Sequence, residues 1–326
     1  MKEIKRQGIL FAVQFICAAV FLTASIASVG MRAGGAVMAA LPTGTDSSVQ
    51  ADEPPATEDA EETVPAEPAE PSDGSPIVQV DLSLSDGSGN ILYKNETDYT
   101  FDTGIMLSAG YPIEPVGDGP SVLIIHSHAT ECYTKEGADT VTGTRSTDPG
   151  ENMLAVGRVL AEGLREHGVN VLHCTEMHDA DSYSQAYINS KASVQRYLEE
   201  YPTIKYVIDL HRDAISTSEG GMAKPVVSID GVDYAQLMLV VGTDEGGADH
   251  PGWRTNLCVA VRTQAALAEY SAELVRPVNL RSASFNQQLS PGYLLLEVGS
   301  CANTLSEAKA SAALFAEIFA ELIKNP

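Results

Sequence analysis

The chain has 326 residues, a formal net charge of −24 at pH 7, and 44% hydrophobic residues. This length is enough for one large domain or two ordinary ones. Nucleic acids and anionic lipid surfaces attract basic patches, so the acidic balance argues against a nucleic-acid-binding protein and against adhesion to anionic lipid outside an anchor.

The N-terminal segment predicts a membrane anchor. Residues 1–7 carry three basic side chains, and residues 8–30 contain no charged residue. At a rise of about 1.5 Å per residue, residues 8–30 are long enough to cross a hydrocarbon core of about 30 Å. Basic residues ahead of the span favour a cytoplasmic stub, so we expect a single-pass protein of the cell membrane. A cleaved signal peptide stays open as the alternative, since small residues follow from Ala33.

The next segment, 31–76, is rich in Pro, Ala, Glu and Asp, and no Lys or Arg occurs between Arg32 and Lys94. Such a composition cannot bury enough apolar surface to offset the entropy of ordering, so it predicts an extended, disordered tether. We therefore expect residues 77–326 to form an extracytoplasmic catalytic domain.

Within 77–326 the hydrophobic pattern alternates between strands and helices. Strands are predicted at 78–84, 122–125, 169–172, 205–210 and 293–298, with a hairpin over 225–242 that turns at Asp230-Gly231. Helices are predicted at 148–168, 185–200, 256–270 and 304–324. Asp148-Pro149 is typical of a helix start, and Thr304 with Glu307 of a capping box. This alternation predicts an α/β sandwich with a largely parallel or mixed sheet, whose ligand site lies beyond the carboxyl ends of the strands.

Histidine and carboxylate side chains occur at three of these predicted strand ends. His128 and Glu131 follow the strand at 122–125, His211 directly follows the strand at 205–210, and Glu297 lies near the end of the last strand. A catalytic zinc takes three protein ligands, keeps one position open for water and needs a base nearby. The sequence therefore predicts a metal-dependent hydrolase. His126 competes with His128 as the ligand, because both lie just past the strand.

The residues around His211 and Glu297 suggest further roles. Asp209 and Asp213 flank His211, and a carboxylate on the second imidazole nitrogen commonly orients a metal-bound histidine. Arg212 would stabilise an oxyanion, hold a substrate carboxylate, or form a structural salt bridge. Glu297 follows three leucines, and a carboxylate in apolar surroundings is suited to act as a general base.

Taken together, these motifs resemble the stage II sporulation protein P family. The resemblance runs from about residue 91 to the C-terminus. It rests on His128 with Glu131, on 209–213 (DLHRD), and on 240–243, 250–253, 285–292 and 296–299 (VVGT, HPGW, FNQQLSPG and LEVG). It implies a phosphorylase/hydrolase-like three-layer fold with a mixed, mainly parallel central sheet, as in N-acetylmuramoyl-L-alanine amidases.

The resemblance also implies a function. It implies a zinc-dependent N-acetylmuramoyl-L-alanine amidase with endopeptidase activity, acting on peptidoglycan in the septal space during engulfment of the forespore, with sporulation proteins D and M as partners. By position, His128, Glu131 and His211 are then the Zn²⁺ ligands and Glu297 the catalytic carboxylate.

Two other functions remain compatible with the sequence. A metallocarboxypeptidase also uses such a ligand set, but it needs an arginine to hold the substrate's terminal carboxylate, and nothing favours Arg212, Arg262 or Arg281 in that role. A catalytically inactive wall-binding scaffold is the second alternative. The complete set of three ligands and a base argues against it.

Overall fold

The computed structural model describes residues 71–83 and 92–326. The predicted stub, the anchor and the tether as far as residue 70 lie outside the described residues. None of the helices within these two ranges is long and apolar enough to cross a membrane. The end of the predicted tether already pairs with the domain: the Gly74 N–H donates to the carbonyl of Val141 at 2.9 Å, and Pro76 bridges Thr140. Paired backbone thus begins shortly before residue 77.

The strands and helices alternate along the chain. The strands are β1 (Ile77–Val80), β2 (Tyr93–Asn95), β3 (Val122–Ile125), β4 (Val171–His173), β5 (Tyr206–Asp213), β6 (Met222–Ile229), β7 (Val232–Ala235), β8 (Leu237–Gly242), β9 (Val278–Arg281) and β10 (Gly292–Ser300). The helices are α1 (Thr103–Ser108), α2 (Met153–Glu166), α3 (Ala186–Glu200), α4 (Trp253–Tyr270) and α5 (Leu305–Lys324).

A mixed, mainly parallel sheet forms the centre of the domain. Its strand order is β2-β9-β8-β10-β5-β3-β4, and within the described strands of this sheet the β8–β10 pairing alone is antiparallel. A small sheet, β1-β6-β7, packs against α5 and the end of β10. The predicted α/β architecture with a mixed, mainly parallel central sheet is confirmed.

The two faces of the central sheet are covered differently. Because side chains alternate along a strand, one face presents residues such as Ile124, Ile208 and Leu296 to α2, α4 and α5, and together they form the main core. The other face packs on α3 through a smaller cluster that includes Leu123 and Val207. Helices on both faces make the three layers. On the α3 side, β8, β9 and β10 line a cleft of about 800 Å³.

One predicted helix begins elsewhere than expected, whereas a predicted turn and a predicted capping box are confirmed. The Asp148-Pro149 start of a helix is wrong: Asp148 Oδ1 accepts from Gly150 N–H within a turn, and α2 begins after Asn152, whose side chain caps Leu154 N–H. The predicted hairpin turn at Asp230-Gly231 is confirmed between β6 and β7, whereas β8 leaves the hairpin and joins the central sheet. The capping box of Thr304 and Glu307 is confirmed at the start of α5.

Candidate active site

Three neighbouring parallel strands bring the predicted site residues together. β10, β5 and β3 are adjacent, and Glu297 on β10 is the direct backbone partner of His211 on β5. His128 and Glu131 lie in the turn after β3, where the Glu131 N–H donates to the His128 carbonyl at 3.2 Å. The carboxyl ends of parallel strands meet at one edge, which is why residues far apart in sequence converge here.

The three predicted metal ligands are buried neighbours. Glu131 Oε2 lies 3.6 Å from His211 Nδ1, and the rings of His128 and His211 have centroids 5.4 Å apart. Each is less than 5% exposed. Across residues 71–83 and 92–326, no three His, Cys, Asp or Glu side chains converge closely enough to form a complete metal site. The donor types nevertheless match a catalytic zinc, since two imidazoles and a carboxylate are one of its common ligand sets.

Asp209 holds the second nitrogen of His211. Its Oδ1 lies 2.9 Å from His211 Nε2, and the carboxylate is itself held by Ser127, whose N–H and hydroxyl donate at 2.8 and 2.6 Å. Tyr293 adds a hydroxyl at 3.3 Å. With Nε2 occupied in this way, Nδ1 is the nitrogen that faces Glu131. A carboxylate in this position fixes the tautomer and orientation of a metal-binding imidazole.

The electrostatic field around His211 favours a cation. Burial alone would lower the pKa of His211, but the charge and hydrogen bond of Asp209, with the charges of Glu131 and Glu297, raise that pKa to about 10. The pKa of His128, in contrast, falls to about 2 because of burial and the neighbouring His211. The carboxylates that stabilise a proton on His211 would equally stabilise a divalent metal ion.

Glu297 has the environment of a general base. Burial, followed by repulsion from Asp213, raises its pKa well above the usual value, although His211 acts in the opposite direction. Its Oε2 is buried and accepts no hydrogen bond from the described residues. A buried carboxylate oxygen with no protein donor is available to a proton on a bound water or substrate.

Arg212 points its guanidinium into the loop that carries Glu131. Its Nε and Nη2 donate to the carbonyls of Cys132 and Thr144, and Nη1 lies 3.7 Å from Glu131 Oε1. Its backbone N–H also donates to Glu131 Oε2 at 3.1 Å. Of the three roles that the sequence allowed for Arg212, these contacts match the structural salt bridge. A catalytic role for Arg212 stays a prediction.

His126 points away from His211 and Glu131. Its Nδ1 donates to the Leu210 carbonyl at 3.1 Å, and its Nε2 lies 2.9 Å from Nε2 of His173, against Gly157 of α2. Burial, followed by the proximity of His173, lowers the pKa of His126 to about 3. Of the two candidate histidines, the structure therefore brings His128 to the site.

Two polar residues that line the cleft beside Glu297 are not among the predicted site residues. Arg276 precedes β9 and Asn279 lies within it, and both side chains are buried in the cleft wall. The strand β9 has four residues, too few for its alternation of apolar and polar residues to stand out from a loop. No local pattern therefore distinguishes Arg276 or Asn279 from loop residues in the sequence.

Comparisons with known proteins identify related chains. A family model described as Stage II sporulation protein P matches residues 43–320. The Stage II sporulation protein P of Bacillus subtilis (strain 168) is 24% identical over 222 residues, which cover 65% of this chain and 53% of that protein. The match thus spans about half the length of this curated relative.

Solved amidases show a weaker likeness. The N-acetylmuramyl-L-alanine amidase Ami1 of Mycobacterium smegmatis is 11% identical, with a TM-score of 0.35, over 66% of this chain and 100% of its own. For the N-acetylmuramoyl-L-alanine amidase of Clostridium difficile 630 the identity is 11% and the TM-score 0.36, over 64% and 94% of the two chains. At these TM-scores neither likeness supports a functional argument.

Proposed function

The chain belongs to the stage II sporulation protein P family, and from that premise we propose that it is a zinc-dependent peptidoglycan hydrolase. The reaction proposed is hydrolysis of the amide between N-acetylmuramic acid and the first residue of the stem peptide, with endopeptidase cleavage of cross-links as a second activity. The observation that carries the proposal is the buried cluster of His128, Glu131 and His211 beside the unbonded Oε2 of Glu297.

His128, Glu131 and His211 are the residues that would hold the zinc. When bound, such a metal ion polarises a carbonyl and lowers the pKa of water, so that a strong nucleophile exists at neutral pH. Asp209 keeps the His211 ring in place through Nε2. Arg212 donates its N–H to Glu131 Oε2 and so keeps that carboxylate directed at the imidazole.

Glu297 moves the proton. Its raised pKa makes it a stronger base than an exposed glutamate, so it accepts a proton from the attacking water more readily. Amide hydrolysis also requires that the leaving nitrogen be protonated, and the same carboxyl group would deliver that proton. The strand pairing of Glu297 with His211 supports this role, because it brings the carboxyl group next to a predicted ligand.

The cellular role follows from the family and the predicted N-terminal segment. We propose that the protein acts during endospore engulfment, anchored in the cell membrane with its domain outside the cytoplasm, on peptidoglycan and together with sporulation proteins D and M. The uncharged span at 8–30 supports the anchor, and the acidic segment that follows supports a spacer between membrane and wall.

The proposal is tested by digestion of purified sacculi. Wild-type protein should release stem peptides with a new amino terminus and leave the glycan strands intact, as read by mass spectrometry. Glu297→Gln should reduce release by at least about a hundredfold, because general base catalysis contributes about 10² to 10⁴. His211→Ala should reduce release at least as much, because it removes a predicted ligand of the metal that activates the water.

His167→Gln is the matched control, since His167 is an exposed histidine at the end of α2. It should retain wild-type activity. If His211→Ala and Glu297→Gln digest sacculi as fast as this control, the site is misassigned. If the wild type releases nothing, the wall-binding scaffold becomes the better reading.

A further inference from the structure

The wall of the cleft contains two buried polar atoms that have no protein partner. Arg276 is 8% exposed and Asn279 is 7% exposed. Neither Nη1 of Arg276 nor Oδ1 of Asn279 makes a hydrogen bond with the described residues. Both residues line the cleft, and buried polar atoms in folded proteins are almost always paired, so these two atoms lack partners that a bound ligand would supply.

The fold holds the side chain of Arg276 and the backbone of Asn279 in place. Arg276 Nη2 donates to Asp213 Oδ2 at 2.7 Å, and the Arg276 backbone N–H donates to the Leu237 carbonyl at 2.8 Å. Asn279 lies on β9, paired with Val240 of β8 and Lys94 of β2. Nη2 of the guanidinium therefore fixes the Arg276 side chain, while Nη1 is left as an oriented donor. An arginine fixed in this way loses little side-chain entropy on binding.

The subsite adjoins the catalytic carboxylate. Arg276, Asn279 and Glu297 line the same cleft, and the charge of Arg276 acts on the pKa of Glu297. Leu295, Val240 and Asn279 are successive backbone partners across β10, β8 and β9, so the cleft floor runs continuously from the Glu297 strand to Asn279. A substrate whose scissile amide lies at Glu297 would therefore extend along this floor.

We propose that Arg276 and Asn279 form a specificity subsite for the stem peptide, in which Arg276 Nη1 donates to a free carboxylate near the scissile amide and Asn279 Oδ1 accepts a peptide N–H. This inference rests on the proposed function and names the feature of the substrate that the site selects. A carboxylate is the ligand that an oriented guanidinium donor favours, and a backbone amide supplies the donor that Asn279 lacks.

Two other cations of the cleft share one carboxylate. Arg281 Nε lies 2.9 Å from Glu96 Oε2, and Lys94 pairs with the same glutamate. In a chain with a net charge of −24, an anionic peptide is repelled at long range, so its capture depends on a local donor such as Arg276.

Peptide binding tests the subsite independently of catalysis. In a Glu297→Gln background, calorimetry would measure two synthetic muramoyl peptides that differ at one group: the second residue carries either a free α-carboxylate or the corresponding primary amide. We expect the carboxylate form to bind about tenfold more tightly, since a hydrogen bond to a charged acceptor is about twice as strong as one to a neutral amide oxygen. Arg276→Gln should reduce this preference to about one.

Arg281→Gln is the matched control, because it makes the same chemical change in the same cleft at a cation paired with Glu96. It should leave the preference within about twofold of the parent, because partly exposed ion pairs such as Arg281–Glu96 contribute little energy. Asn279→Leu should weaken both peptides to a similar extent, since their backbone N–H groups are identical. Thermal melts would confirm that each variant is folded before its affinities are compared.

The results separate this inference from the proposed function. A preference that survives Arg276→Gln, or the absence of peptide binding by the parent, would overturn the subsite even where wild-type protein digests sacculi. A preference that Arg276→Gln abolishes supports the subsite, and sacculus digestion then decides the reaction separately.

Discussion

The carboxylate of Asp209 should set the zinc affinity of the site through His211. In Asp209→Asn the amide oxygen can keep its contacts with Ser127 N–H and His211 Nε2, now at 2.8 and 2.9 Å. The amide nitrogen would replace the oxygen that accepts from Ser127 Oγ at 2.6 Å and from the Tyr293 hydroxyl at 3.3 Å, and both hydroxyls can turn to accept instead. The fold therefore tolerates the change, while the charge behind the imidazole is lost.

The expected size follows from the loss of that charge. A hydrogen bond to a charged group contributes about 1.5–3 kcal/mol, and a neutral acceptor about half as much, so the change removes about 1–1.5 kcal/mol. This corresponds to about a tenfold weaker zinc affinity, at the lower end of the 10- to 100-fold effect of removing a group that supports a metal-binding histidine. Competition with a chromogenic chelator would measure the dissociation constant.

Asp213→Asn provides the matched control. Asp213 flanks His211 on the other side, but its Oδ2 contacts Arg276 instead of the imidazole. Its zinc affinity should stay within about twofold of wild type, since no contact with a predicted ligand is lost. Equal zinc affinities for Asp209→Asn and wild type, in proteins with matching melting curves, would refute the reasoning.

Two further predictions concern stability. Thr304→Ala should lower the free energy of unfolding by about 1 kcal/mol, because the Thr304 side chain caps Glu307 N–H at the start of α5. Urea denaturation would measure this loss, and an unchanged midpoint would contradict the role of the cap. Gly157→Ala should destabilise the fold by about 1–3 kcal/mol despite the better helix propensity of Ala, because the new Cβ would lie 2.6 Å from Nε2 of both His126 and His173. A higher melting temperature for Gly157→Ala would count against this packing argument.

The sequence was most informative where several residues carried one pattern. The run at 122–125 and the leucines before Glu297 are continuous and apolar, which is typical of strands buried on both faces, and both became central strands. This pattern therefore predicts that the polar residues after these strands lie at one edge of the sheet. The capping box at Thr304 was equally clear, because it has a strict spacing of three residues.

The remaining features depend on contacts that no local pattern encodes. Asp148 has the residue type of a helix cap, but Asn152 takes that position because the backbone of 131–132 pairs with 152–153 ahead of α2. The choice between His126 and His128 depended on His173, which lies 47 residues from His126. The side chain of Arg276 is oriented by its hydrogen bond to Asp213, a partner that sequence spacing does not reveal.

Because His211 pairs with Glu297, the proposed hydrolytic activity depends on the register between β5 and β10. These two residues are opposite each other across one rung of the β5–β10 ladder, and the register changes only beyond them, between Glu297 and Ser300. A slip by one residue would turn Glu297 to the opposite face of the sheet, into the packed core. Molecules with a misregistered or partly frayed central sheet would then be inactive even where their helices are intact. Hydrolytic activity would thus count correctly assembled central sheets in a preparation, a quality that helical content alone does not measure.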